Sequence, residues 1–189
     1  MNTAGRRRQK NREPARDYFP RMLKIRRYRP DDNKAVKELH YAGIMQMVEL
    51  IPEEERLIPP PRDEHFIDSD LDDIEGAYIN NRGDFLVGLE DREMVVIGAI
   101  RKVNETCGEL KRLRVRRDRQ RHGYGEAMMK RLIERGRELG YRELVLDTLE
   151  SNLPARRLFA RLGFTERRRE RKGPAKLIIY EKRLNEERK

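Results

Sequence analysis

Hydrophobic positions along this chain recur at two different spacings, and the switches between them mark out its elements. Residues 25 to 28 read as a short strand, after which Pro30 with Asp31 and Asp32 supplies a helix start. Ala35, Val36, Leu39, Ile44, Met47 and Val48 then follow at helical spacing. Pro52 and the triplet Pro59, Pro60 and Pro61 interrupt that helix and predict an extended connection. Leu71, Ile74 and Tyr78 mark a shorter acidic helix closed by Gly83. Residues 85 to 89 and 94 to 100 are β-rich runs separated by Glu90, Asp91, Arg92 and Glu93, which predicts an antiparallel hairpin, and residues 109 to 115 add a third strand.

Beyond Gly125 the spacing becomes helical again. Met128, Met129, Leu132, Ile133 and Leu139 form one face against Lys130, Arg131, Glu134, Arg135 and Glu138 on the other, and Gly140 is a natural stop. A strand over residues 144 to 148, a helix from Pro154, a turn at Gly163 and a final strand or strands ending over residues 177 to 184 complete the chain. Strand, two helices, three strands, helix, strand, helix and strand make a mixed α/β fold with a helix-crossed sheet.

The 189 residues suit one domain. Residues 1 to 20 carry Arg6, Arg7, Arg8, Lys10, Arg12 and Arg16 with few large apolar groups, too little to offset the entropy of ordering them. They predict a flexible basic tail ahead of a folded unit over 21 to 189. Charged residues reach 41% against 37% hydrophobic, so the core must come from short apolar runs.

Lysine and arginine outnumber the acids 44 to 34, which points to phosphate-rich partners, either nucleic acid or a phosphorylated cofactor. The excess concentrates at Lys111, Arg112, Arg114, Arg116, Arg117, Arg119 and Arg121, with Asp118 as the one acid among them. Cys107 is the only cysteine, which excludes an intramolecular disulfide or a cysteine metal cluster and fits a reducing cytoplasm. It reads as a turn or core thiol. His40, His65 and His122 are too scattered to suggest a metal site. The absence of a long apolar run or a signal-peptide core argues against spanning a membrane or secretion.

Candidate chemistry lies in Gln120, Arg121, His122, Gly123, Tyr124 and Gly125, between a strand and a long helix. Two glycines let backbone N–H groups turn inward, and the helix start adds unsatisfied donors and a positive dipole end. Such a loop can cradle a pyrophosphate. No Lys with Ser or Thr follows the second glycine, as in a Walker loop, and the third glycine of a dinucleotide fingerprint is missing, so ATP and NAD drop out as leading ligands.

This stretch resembles the GNAT (GCN5-related) N-acetyltransferases, whose mark is Gln or Arg, two residues, Gly, one residue, then Gly or Ala. Asn152, Ala155, Phe159 and Leu162-Gly163-Phe164 continue the resemblance, which is specific from about residue 85 to 184. It implies a central, mostly antiparallel twisted sheet flanked by helices, acetyl-coenzyme A as cofactor and an amine acceptor, small molecule or protein, in a monomer or homodimer. It further implies that the backbone of Leu113, Arg114 and Val115 pairs with the pantetheine arm like an added strand. Gln120, Arg121, His122, Gly123, Tyr124, Gly125 and Glu126 would hold the pyrophosphate, with Asn152 and Phe159 lining the site.

An amine attacks a thioester only as the neutral base, so a carboxylate near the acceptor is required. Glu109 occupies the position of the general base in the histone-acetylating branch, and in a regular strand it shares a face with Leu113 and Val115, whereas the strand bulge that the resemblance implies here would move that register. Read without the resemblance, it is a strand-edge glutamate paired with an arginine. The resemblance also implies that a main-chain N–H near Val115 meets the charge developing on the thioester oxygen. Many members place a tyrosine acid where this chain has Phe159, which cannot donate a proton; a thiol of pKa about 8.5 leaves without it.

The acceptor is expected over residues 31 to 78, where the acids Asp63, Glu64, Asp68, Asp70, Asp72, Asp73 and Glu75 either attract a cationic amine or form a solvated helix face. The competing function is a binding module that uses the basic surface for RNA or senses acyl-coenzyme A. The lack of aromatics interleaved with the basic clusters speaks against single-strand binding.

Overall fold

A computed structural model of the chain describes residues 22–49, 69–173 and 175–184. The expected basic tail, the proline-rich connection and Asp63, Glu64, His65 and Asp68 lie outside these residues.

Among the described residues seven strands form one sheet in the order β1-β2-β3-β4-β5-β7-β6. They are β1 (Lys24–Arg27), β2 (Asp84–Glu90), β3 (Glu93–Lys102), β4 (Cys107–Val115), β5 (Glu143–Leu149), β6 (Thr165–Lys172) and β7 (Ala175–Arg183). Every neighbouring pair is antiparallel except β4 and β5, which run parallel because a helix returns the chain between them. The helices are α1 (Asn33–Glu49), α2 (Ser69–Asp72), α3 (Ile74–Ala77), α4 (Tyr124–Glu138) and α5 (Leu153–Arg161).

Strand alternation divides the core in two. Val96 and Ile100 of β3 face Met128, Met129 and Leu132 of α4, in a cluster that also takes in Leu144, Leu146, Phe159 and Ile178. Ile97 and Ala99 face the other way, toward Val36 and Leu39 of α1 and toward Leu71, Ile74 and Tyr78. The 17-residue α1 and the 15-residue α4 therefore sandwich the β2–β4 part of the sheet.

The single helix expected around Leu71 to Tyr78 is two one-turn pieces. Asp73 breaks it: its backbone leaves the helical region at φ −135°, and its carboxylate accepts the Gly76 N–H instead of letting the helix run through. The described acids of this stretch are not simply a solvated face either. Asp70 is engaged with Arg112, and Asp72 accepts from Lys37 at 2.6 Å.

The meander's third strand starts at Cys107, two residues before the sequence pattern shows it, and the Cys107 thiol is buried at that start. The last element is a hairpin, β6 with β7. All eight residues of β6 are exposed, so its charged sequence has no apolar alternation to reveal it, and pairing with β7 alone makes it a strand. Charge along such an edge discourages pairing with another chain. No helix among the described residues is long and apolar enough to cross a membrane.

Candidate active site

The site begins where β4 and β5 part. They pair only at Cys107, Gly108 and Glu109 with Glu143, Leu144 and Val145, while β4 runs on to Val115 and β5 to Leu149. A bulge in β4 drives the separation. Pairing with β3 shifts register between Ile97 and Ala99, and Arg112 sits in the left-handed region at φ 57°.

The bulge that the resemblance implies is present, and it moves the register. Glu109 does not share a face with Leu113 and Val115: the extra residue at Lys111 and Arg112 flips the register, leaving Leu113 and Val115 against the α4 core while Arg112 turns toward His40 of α1. Glu109 accepts from Arg101 at 2.6 Å and has Lys111 Nζ 3.5 Å away, an ion-paired strand glutamate.

Arg112 is held by Asp70 on α2, with only 11% and 15% of their side chains exposed, and Asp70 also accepts from the Tyr78 hydroxyl. Burial pushes the Asp70 carboxyl up, but hydrogen bonds from Arg112 and Tyr78 outweigh it and hold it below the ordinary aspartate value. Burial and the neighbouring Asp70 push the Tyr78 hydroxyl up.

Past the bulge, the backbone faces the opening. Arg116 N–H bonds to Val95 C=O across the Val96–Val115 pair, which makes that pair the non-hydrogen-bonded kind. The N–H and C=O of Val115 therefore point away from β3, toward β5, and an extended ligand can add there as a strand.

The opening is a solvent-facing cleft. Lys111, Leu113 and Arg114 line its β4 side, Leu146, Asp147 and Thr148 its β5 side, Met129 and Leu132 its α4 side, and Asn152, Ala155 and Phe159 its α5 side. The stem of Arg114 crosses α1 at Gly43, where a Cβ would collide with Arg114 Cδ, and its Nη1 donates to Leu113 C=O at 2.8 Å. Asn152 caps α5 by accepting from Ala155 N–H at 3.3 Å and donates to Thr148 Oγ1 at 3.3 Å. Phe159 is buried between Tyr180 and Phe164.

Beyond the end of β4, α4 starts with no side-chain cap on its first-turn donors, and residues 120 to 126 do not line the cleft itself. Its N-cap is Gly123 at φ 82°, and a Cβ there would meet nothing within 4 Å, so the space before the helix is open. Arg121 is exposed at φ 64°, and among the described residues its guanidinium makes no hydrogen bond or ion pair. His122 Nδ1 lies 2.8 Å from Gln120 C=O, and Gln120 Nε2 donates to Gln46 of α1 at 2.6 Å. Gly125 packs toward Val115, and Glu126 pairs with Lys130 and Arg161.

Most of the arginine cluster is committed internally. Arg116 pairs with Glu93 and Asp118, Arg117 with Glu49, and Arg119 with Glu90. Of the cluster's seven basic residues, Arg121 is the one with no internal partner among the described residues.

Asp147 escaped the sequence reading. It is the charged member of an otherwise uncharged run, Leu144, Val145, Leu146, Thr148 and Leu149, on the face opposite Leu144 and Leu146. Strand alternation was the signal for it. It is exposed and lines the cleft, and among the described residues no hydrogen bond or ion pair holds its carboxylate.

These features have counterparts in known proteins. Residues 45–164 match the model of the family described as "Acetyltransferase (GNAT) family". An uncharacterized N-acetyltransferase of Schizosaccharomyces pombe is 36% identical over 74 residues, covering 39% of this chain and 45% of that protein, so the chain spans about half of that relative's length. The fold resembles a GNAT-family acetyltransferase from Staphylococcus aureus at TM-score 0.71 and 17% identity, over 87% of this chain and all of that one. It also resembles yncA from Salmonella typhimurium, solved with its cofactor acetyl-CoA, at TM-score 0.68 and 19% identity over 88% of this chain and 96% of that one.

Proposed function

We propose, from the premise that this chain belongs to the GNAT acetyltransferase family, that it transfers the acetyl group of acetyl-coenzyme A to a primary amine by direct attack, with donor and acceptor held together in the cleft. The amine belongs to a small molecule or to a protein. The observation that carries this reading is the conjunction of two features: β4 and β5 splayed beyond Glu109 and Val145, and the uncapped start of α4, packed through Gly125 toward Val115 at the end of β4.

The residues present suit the donor. The first-turn N–H groups of α4 and the Arg121 guanidinium complement a diphosphate. The edge of β4 at Leu113 and Val115 offers main-chain partners to an amide-bearing arm, and Val115 N–H, which points away from β3, would meet the charge that a thioester oxygen gains. When bound, the thioester supplies the activated acetyl group.

Attack requires a neutral amine, and the nitrogen sheds a proton as it bonds to carbon. On this reading Asp147, which lines the cleft on β5, takes it. Glu109 is the second candidate, favoured by its pair with Lys111, which itself lines the cleft, and acting through water. Phe159 leaves the departing thiolate to be protonated by water. Phe159→Tyr is expected to raise turnover with a verified acceptor, within the ~10²- to 10⁴-fold span of acid assistance; an unchanged rate would show that thiolate departure needs no help.

A screen of amines and peptides with acetyl-coenzyme A, followed by release of free thiol, tests the function. Calorimetry tests the donor site, and a folded protein that takes up neither coenzyme A nor its acetyl form sinks the proposal. Gly123→Val is expected to weaken coenzyme A binding by about 10- to 100-fold, because a branched side chain at positive φ is strained and fills the space before α4. The same titration measures this, and unchanged affinity would place the diphosphate elsewhere.

A further inference from the structure

We infer that Glu90, at the end of β2 and outside the glycine loop, is a positioning residue that sets the loop's grip on the coenzyme's diphosphate; this rests on the acetyl-coenzyme A reading above. Glu90 is buried, 4% exposed. Its Oε2 accepts from Arg119 Nε at 2.5 Å, and its Oε1 accepts from the Tyr124 hydroxyl. These donors flank the loop: Arg119 ends the 3₁₀ turn Arg117–Arg119 before it, and Tyr124 is the first residue of α4 after it.

The segment between them, residues 120 to 123, is exposed and holds two positions in the left-handed region, Arg121 at φ 64° and Gly123 at φ 82°. Such a conformation is disfavoured for a free chain, most of all at the arginine. One rigid carboxylate in the sheet ties both flanks to β2, so the ordering of the loop is completed before any ligand arrives and does not have to be drawn from binding. The contact also occupies the Arg119 guanidinium, whose pKa is raised chiefly by its hydrogen bond to Glu90, and leaves the loop's own donors to face outward.

The chemistry requires a carboxylate. Two acceptor oxygens meet two donors, and glutamine has one oxygen and one NH₂, so Glu90→Gln sets donor against donor on one flank while keeping size and shape. Tyr124→Phe removes the other contact and keeps the ring.

The test compares two acetyl donors, acetyl-coenzyme A and S-acetylpantetheine, which has the thioester arm but no diphosphate. With a working acceptor, Glu90→Gln is expected to raise KM for acetyl-coenzyme A about 10-fold with kcat within about twofold, and to change kcat/KM for S-acetylpantetheine by no more than about twofold. Tyr124→Phe should follow the same pattern at smaller size. An equal loss with both donors would mean that Glu90 only supports the fold, and an unchanged or lower KM for acetyl-coenzyme A would mean that the loop needs no clamp. Either result overturns the inference. Failure of the wild-type protein to bind coenzyme A in calorimetry would instead remove the donor reading on which it rests.

Discussion

Asp147→Asn is expected to lower kcat for acetyl transfer by about 10²- to 10⁴-fold while calorimetric affinity for coenzyme A moves by less than about twofold. Asparagine keeps the side chain's size and cannot accept the proton that the amine releases. The expectation follows from placement. Of the two candidate bases, Asp147 lines the cleft and has no internal partner among the described residues, whereas Glu109 already accepts from Arg101 and has Lys111 beside it. Glu109→Gln is the paired measurement, and its loss is expected to stay below about tenfold. Should Glu109→Gln show the larger fall in kcat and Asp147→Asn a small one, the base is Glu109 and Asp147 only shapes the cleft.

The other large effect falls on stability, at the bulge that opens the site. Arg112→Met is expected to cost about 3–5 kcal/mol, because it leaves Asp70 without its cation at 15% side-chain exposure. For a domain of this size that lowers the melting temperature by about 6–20 °C. Pairing it with Asp70→Leu should restore part of the loss, since an apolar pair does not strand a buried charge but leaves the Tyr78 hydroxyl without its acceptor. If Arg112→Met alone unfolds within about 1 kcal/mol of wild type, the buried pair contributes little and the bulge is held by packing.

The same pair shapes the response to acid. Because the Asp70 carboxyl is held below its ordinary value, the folded protein takes up this proton less readily than the unfolded chain. Its contribution is complete above about pH 4 and is lost as the pH falls through the lower folded value. Urea unfolding followed from pH 6 downward should show a shallower acid limb in Asp70→Asn than in wild type. Equal slopes would mean that Asp70 titrates alike in both states.

Sequence alone determined the parts of this protein that depend on near neighbours. Helical spacing from Met128 to Leu139 marked α4, alternation marked β2 and β3, and the glycines at 123 and 125 after a strand marked the turn that opens a helix; each signal lies within a few residues of what it predicts. Which charged groups act was decided by tertiary structure. The bulge at Arg112 turned Glu109 from the face of Leu113, β4 and β5 separating put Asp147 on a cleft, and Arg116, Arg117 and Arg119 were drawn to carboxylates on β2, β3 and α1. Strand β6 exists only because β7 pairs with it. A charge's role depends on the field and the partners around it, and those come from segments brought together by folding across dozens of residues, where no local spacing records them.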